Sequence, residues 1–299
     1  MNTSPAAAVS PLSRSLGYIS LTKPDVSFLV VITTLAGYAL GTVGPLDWAR
    51  MAHTVLATTL VAAGTSSLNH YLERDLDARM RRTASRPLPL GVLAPAEALW
   101  FGVALVVVGV VDLLLATNPL AAALAFSTSI LYLGLYTPLK TRTTWCTAIG
   151  AIPGALPPLI GWVAASGSLS TGGWILFGIL FLWQFPHFHA IAWMYREDYA
   201  RAGIRMLPVV DPEGRATFSQ ILWGAAILVP FSLLGAVAGL GGPAYFFSAL
   251  VLGLMLVEVC VWASANRTNA RAKWLMHATV LHLPVLLGLM ILDRFWWTR

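Results

Sequence analysis

Asn69, Glu73 and Asp77 recur at every fourth residue of the run Asn69-His70-Tyr71-Leu72-Glu73-Arg74-Asp75-Leu76-Asp77. At 3.6 residues per turn, that spacing stacks three oxygen-bearing side chains along one face of a helix. The run closes a long apolar segment, in a chain that holds only thirteen acids among 299 residues. A hard divalent cation accounts for so dense a use of them, because Mg²⁺ takes oxygen ligands, keeps part of its water and is usually shared with substrate phosphates. Five arginines follow between positions 74 and 86, and a guanidinium fork suits phosphate oxygens. Asp75 points away from Glu73 and Asp77 and is expected to pair with Arg79 or to help hold a second ion.

Two further clusters carry the same kind of chemistry. Tyr195-Arg196-Glu197-Asp198-Tyr199-Ala200-Arg201 is acidic and then basic, and Tyr136-Thr137-Pro138-Leu139-Lys140-Thr141-Arg142 is basic. Alone, the first is an ordinary charged helix surface and the second an ordinary membrane anchor. If all three clusters end on one membrane face, they can converge on a diphosphate held by Mg²⁺. Metal and cations would then neutralise the charge that grows on the leaving group.

What must position these residues is a set of membrane helices. The chain is 57% hydrophobic and 11% charged, with a mean hydropathy of +0.72, whereas a soluble domain is about 25% charged. A bilayer-crossing helix needs roughly 20 apolar residues. Nine segments qualify, about 26–43, 51–72, 96–117, 120–136, 145–165, 174–194, 218–240, 244–265 and 274–292. The expected fold is all-α, a bundle of about nine transmembrane helices around a central cavity.

With the N-terminus inside, sixteen of the nineteen Lys and Arg fall in inner segments. That asymmetry sets the polar clusters on the cytoplasmic face. The net charge of +6 is spread over short loops and gives no reason to invoke nucleic acid. Residues 1–20, rich in Ala, Ser and Pro, read as a disordered tail ahead of a single domain over 21–299. Arg86-Pro87-Leu88-Pro89 and Arg205-Met206-Leu207-Pro208 each follow an acid-bearing helix end. They suggest two four-helix halves, about 26–136 and 145–265, plus a ninth helix at 274–292. Cys146 and Cys260 lie in apolar segments without metal-site spacing and are expected to be buried hydrophobes. Asp112 and Glu258 are acids inside spans, and for both a structural hydrogen bond is expected, Glu258 meeting His277 or His282.

With these residues in view, the chain resembles the intramembrane polyprenyltransferases, which join an isoprenoid diphosphate to an acceptor within the bilayer. The resemblance covers about residues 18–292. It rests on LTKPDV (21–26), NHYLERDLDARMRRT (69–83), RPLP (86–89), YTPLK (136–140), WQFPHF (183–188) and YREDYARAGIRMLPV (195–209). The last two segments point to the branch whose acceptor is haem.

The resemblance implies a farnesyltransferase. Farnesyl diphosphate would ionise with the help of Mg²⁺, a haem B vinyl group would attack, and water would add beside the new bond. Asn69, Glu73 and Asp77 would hold Mg²⁺ and the diphosphate, with Asp198 completing the site. Lys140 and Arg142 would grip the phosphates, with Arg81, Arg82, Arg201 and Arg205 as further candidates. Tyr136 would face the ionising carbon or the diphosphate.

Many members carry an aspartate pair where this chain has Tyr195 and Tyr199, which puts a second metal position in doubt. His187 is either packing or a group that contacts the haem, and His189 faces the other way. The resemblance also suggests a place in the inner membrane and a link to terminal oxidase assembly. Two other readings stand beside it, an aromatic or quinone-precursor acceptor on the same fold, and a transporter that binds cations.

Overall fold

The computed structural model describes residues 11–297, and among them the regular structure is helical throughout. Helix α1 (Pro11–Leu21) precedes α2 (Pro24–Gly41), α3 (Trp48–Asp77) and α4 (Pro95–Ala116). Next come α5 (Pro119–Leu139), α6 (Cys146–Ser166) and α7 (Thr171–Met194). Two short helices, α8 (Arg196–Ala202) and α9 (Leu207–Val210), lead to α10 (Arg215–Val237), α11 (Pro243–Ala265) and α12 (Asn269–Trp297).

Eight of the described helices are long and apolar enough to cross a membrane: α2, α4, α5, α6, α7, α10, α11 and α12. The expected second span is α3. At 30 residues it is long enough at about 1.5 Å per residue, but its inward face is polar. Thr54, Thr58, Thr65, Ser67, Asn69 and Glu73 are all buried along it. A polar face turned inward is the mark of a helix that serves a site rather than the lipid.

Small residues bring the spans together. A Cβ on Gly37 of α2 would lie 1.9 Å from the Pro158 carbonyl oxygen of α6, and one on Gly161 would lie 2.1 Å from the Thr34 carbonyl oxygen. Close backbone approach of this kind replaces the hydrophobic drive that lipid removes. Trp183 is the largest fully buried side chain among the described residues, and its indole N–H donates to the Thr279 carbonyl at 2.8 Å and so ties α7 to α12. Cys146 and Cys260 are both free and buried, as expected.

The expected disordered tail over 1–20 is corrected in its second half; its first ten residues lie outside the described ones. Pro11–Leu21 is helical, with Leu21 buried, Tyr18 edge-on to Phe101 at 5.0 Å and Arg14 paired with Glu97 of α4. Leu12, Leu16 and Ile19 are exposed along its other side, the pattern of a helix lying in a membrane interface. Composition concealed this, because the apolar residues at spacings of three and four are diluted by serines.

Two local departures from regular winding matter for the site. Lys23, wedged between α1 and Pro24, has φ 47 and is the single non-glycine with positive φ among the described residues. The second is a π-helical stretch, Leu131–Tyr136, inside α5. Pro138 lacks an N–H and its ring crowds the carbonyl four residues back, which favours a wider turn there. The Thr137 N–H accordingly reaches back to the Tyr132 carbonyl, and the Thr137 hydroxyl donates to it at 2.9 Å.

Candidate active site

The last two and a half turns of α3 form one wall. Asn69, Glu73 and Asp77 are 1%, 6% and 1% exposed, so the fourfold spacing does put three oxygen donors on one buried face. Each meets a cation brought by another element. The Lys23 ammonium donates to Asn69 Oδ1 at 3.2 Å, Lys140 donates to Glu73 Oε1 at 2.7 Å, and Arg86 Nη1 lies 2.7 Å from both Asp77 oxygens. Asn69 also donates from Nδ2 to the Thr137 hydroxyl at 3.2 Å. Burial, with the Arg86 and Lys140 charges close by, pushes the Lys23 ammonium down to about 7.

The π-helical turn shapes the second wall. Lys140 Nζ sits 4.5 Å from the Tyr136 ring centre and 5.9 Å from that of Tyr132, a cation held by aromatic faces on one side and a carboxylate on the other. Gly150 of α6 gives the Tyr136 ring its space, since a Cβ there would fall 2.5 Å from Tyr136 Cδ2.

Asp198, on α8, closes the third side. It is 8% exposed, accepts from the Arg82 backbone N–H at 3.2 Å, and pairs with Arg201 one turn on. Arg82 lies over the Tyr195 ring at 4.5 Å and donates to the Tyr199 hydroxyl at 3.5 Å. The loop that starts at Asp77 is therefore clamped to α8. The Arg205 backbone N–H donates to the Lys140 carbonyl at 2.7 Å, which joins the loop after α8 to the end of α5. Beneath this junction Met80, Cys146, Tyr199 and Met206 pack as a small core of their own.

The expected residues divide accordingly. Asn69, Glu73, Asp77, Tyr136 and Lys140 form one connected group, and Asp198, Arg82 and Arg201 a second that the 78–94 loop joins to it. Arg81, Arg142 and Arg205 have exposed side chains. Asp75 is corrected: its exposed carboxylate lies 4.0 Å from Arg74 rather than beside Arg79. Glu197 is exposed where its neighbour Asp198 is buried.

Lys23 and Arg86 went unassigned in the sequence, although both sit in quoted segments. The available signal was a basic residue directly before a proline, in Lys23-Pro24 and Arg86-Pro87. His70 also belongs here. It follows Asn69 and is 2% exposed, with both ring nitrogens buried and without a partner.

His187 lies on α7, about 10 Å along the axis from the helix end at Met194. Its ring stacks on Trp183 at 4.6 Å, and Nδ1 bonds the Thr279 hydroxyl at 2.8 Å. The other nitrogen has no protein partner and stays accessible. His189 faces away, bonded to Gln220 at 2.8 Å. Asp112 is satisfied by His53 of α3 at 2.8 Å, the structural bond expected of it. Glu258 is not: it is exposed and bonds neither His277 nor His282.

These residues fit Mg²⁺. Among the described residues no three acidic, histidine or cysteine side chains are grouped closely enough to hold a metal alone. Mg²⁺ requires no such cage, binding through one or two carboxylates together with water and substrate phosphates. The donors present are amide and carboxylate oxygens, each already beside a cation that a phosphate could take over.

A family model described as the UbiA prenyltransferase family matches residues 30–283. The chain is 49% identical over 286 residues to the Protoheme IX farnesyltransferase of Solibacter usitatus (strain Ellin6076), covering 93% of this chain and 98% of that one. Among solved structures it resembles a digeranylgeranylglyceryl phosphate synthase, with a TM-score of 0.78, 17% identity and coverage of 95% and 99%. It also resembles a UbiA homologue from Archaeoglobus fulgidus bound to DMAPP and Mg²⁺, with a TM-score of 0.60, 16% identity and coverage of 92% and 98%. At such identities the two structures speak for the fold.

Proposed function

Since the chain belongs to the UbiA prenyltransferase family and is a membrane-embedded prenyltransferase, we propose that it transfers the farnesyl group of farnesyl diphosphate to a vinyl group of haem B. The observation that carries this reading is the pairing of three buried acids with cations, Glu73 with Lys140, Asp77 with Arg86 and Asp198 with Arg201. The Solibacter relative, near half identical over almost the whole chain, supplies the prenyl donor and the acceptor.

The reaction balances without an outside oxidant. The allylic C–O bond breaks and its electron pair leaves with the diphosphate. The vinyl π pair forms the new C–C bond, and the adjacent carbon then takes up water oxygen and releases a proton. Asn69, Glu73, Asp77 and Asp198 would hold Mg²⁺, which when bound neutralises charge on the departing diphosphate.

The chain's own residues do the rest. Lys140, Arg86, Lys23 and Arg201 exchange their carboxylate and amide partners for phosphate oxygens, with Arg82, Arg205, Arg81 and Arg142 contributing longer-range positive charge. The Tyr136 ring keeps the Lys140 ammonium aimed at the site and gives the allylic cation an aromatic face. Burial excludes stray water from that cation. His187, with one nitrogen fixed by Thr279, offers the other to the porphyrin.

On the charge asymmetry, the polar end of the bundle faces the cytoplasm and the membrane is the cell's inner one. The haem product then makes terminal oxidase assembly the natural partner.

The test is purified protein in lipid nanodiscs with farnesyl diphosphate, Mg²⁺ and haem B. The expected product is haem enlarged by one farnesyl and one hydroxyl group. Alkylation of an aromatic acid in place of haem would refute the acceptor assignment.

A further inference from the structure

Two ionisable side chains face outward from the bundle at the same depth. Glu258 of α11 is exposed in a stripe with Val251, Leu254, Met255 and Val261, and His277 of α12 is exposed between Trp274 and Leu281. Depth can be read from the tryptophans. Trp262, held by Arg271 at 4.5 Å, and Trp274 are exposed at the polar-loop end of the two helices, as aromatic belts are. Glu258 is four residues deeper than Trp262 and His277 three deeper than Trp274, about one turn in each case. Both therefore sit about one turn toward the bilayer centre from that belt, on the same side of the membrane.

An ionisable group in that position ordinarily turns inward or finds a partner. The chain does this elsewhere, where Asp112 takes His53 from the neighbouring helix at 2.8 Å. Glu258 and His277 have the same acid and imidazole chemistry on two adjoining helices, yet among the described residues neither has a hydrogen-bond or ion-pair partner. The face thus carries one acceptor and one donor, and is complementary to itself. A two-fold axis through such a patch sets each residue against the other's counterpart.

We propose that the outward face of α11 and α12 docks a second copy of this chain, Glu258 of each copy meeting His277 of the other. The exposed aliphatic residues around Glu258 pack against the same stripe. Two symmetric polar contacts, formed where lipid offers no alternative partner, hold the dimer in register. The polar face of α3 lies on other helices, so the interface leaves the prenyl-transfer site untouched.

Oxidative cross-linking in native membranes tests the inference. Cys146 and Cys260 are buried and can remain. Glu258→Cys with His277→Cys should give a disulfide-linked dimer. Leu115→Cys, exposed on α4, serves as the collision control and should stay monomeric. In vesicles, single-molecule photobleaching should find two-step traces for the native chain and about tenfold weaker dimerisation for Glu258→Leu. The exchanged pair Glu258→His with His277→Glu should restore dimerisation. A cross-link confined within one chain, a dimer yield no higher than the control, or one-step bleaching of the native chain would overturn the proposal.

Discussion

Lys140 and Glu73 meet at 2.7 Å across two different spans, both almost fully buried, with the Tyr136 ring closing the ammonium's other side. Neither side chain can be lost alone without leaving a bare charge in the bundle. This single pair makes the candidate site and the stability of the helix packing one problem.

Lys140→Met should therefore destabilise the folded protein by about 3–5 kcal/mol, the usual cost of orphaning one partner of a buried ion pair. Adding Glu73→Gln should recover most of that loss while prenyl transfer stays absent. Thermal unfolding in nanodiscs checks the first effect and the product assay the second. A double variant no more stable than Lys140→Met would contradict it.

Asp77→Ala should abolish transfer in a protein that still inserts and folds, with no recovery at high Mg²⁺. Arg86→Ala removes the cation that now touches both Asp77 oxygens. It should raise the KM for farnesyl diphosphate about tenfold to a hundredfold, as a lost charged phosphate contact does. Normal turnover of Asp77→Ala at saturating Mg²⁺ would reject the metal assignment.

Gly150→Ala tests the placement of Tyr136. The added methyl would stand 2.5 Å from the ring and must push it off Lys140. Turnover should fall at least about tenfold with the fold intact, because small misplacements at a site are amplified in rate. The double variant with Tyr136→Ala should be no slower than Tyr136→Ala alone.

His187→Ala should weaken haem binding and shift its Soret band, measured without farnesyl diphosphate. Thr279→Val, which frees the imidazole by removing its 2.8 Å partner, should weaken binding less. An unchanged titration for His187→Ala would leave the ring a packing group.

What the sequence disclosed was local. The spacing of Asn69, Glu73 and Asp77 is a property of one helix, and each falls on the buried face that its phase requires. The segment hydropathies likewise located the long helices within a few residues. The partners were less legible, because pairing Lys23 with Asn69 or Arg86 with Asp77 depends on how a loop folds back. Hydropathy placed a helix at 51–72 but does not show that Thr54, Thr58, Thr65, Ser67, Asn69 and Glu73 of α3 all turn inward. The disorder expected over 11–20 failed for a related reason, since an interfacial helix is apolar on one side only.

The wide winding at Leu131–Tyr136 has a consequence for how this chain can vary. One surplus residue is stored in that turn, and shortening the segment by one would let it relax to ordinary α geometry. Wound as an ordinary α-helix without that shortening, the same residues would carry Lys140 about 100° further around the helix axis, leaving Glu73 facing empty space. A one-residue deletion between Tyr132 and Pro138 should therefore disturb the Lys140–Glu73 pairing less than a one-residue insertion, which the wide turn has no room left to absorb.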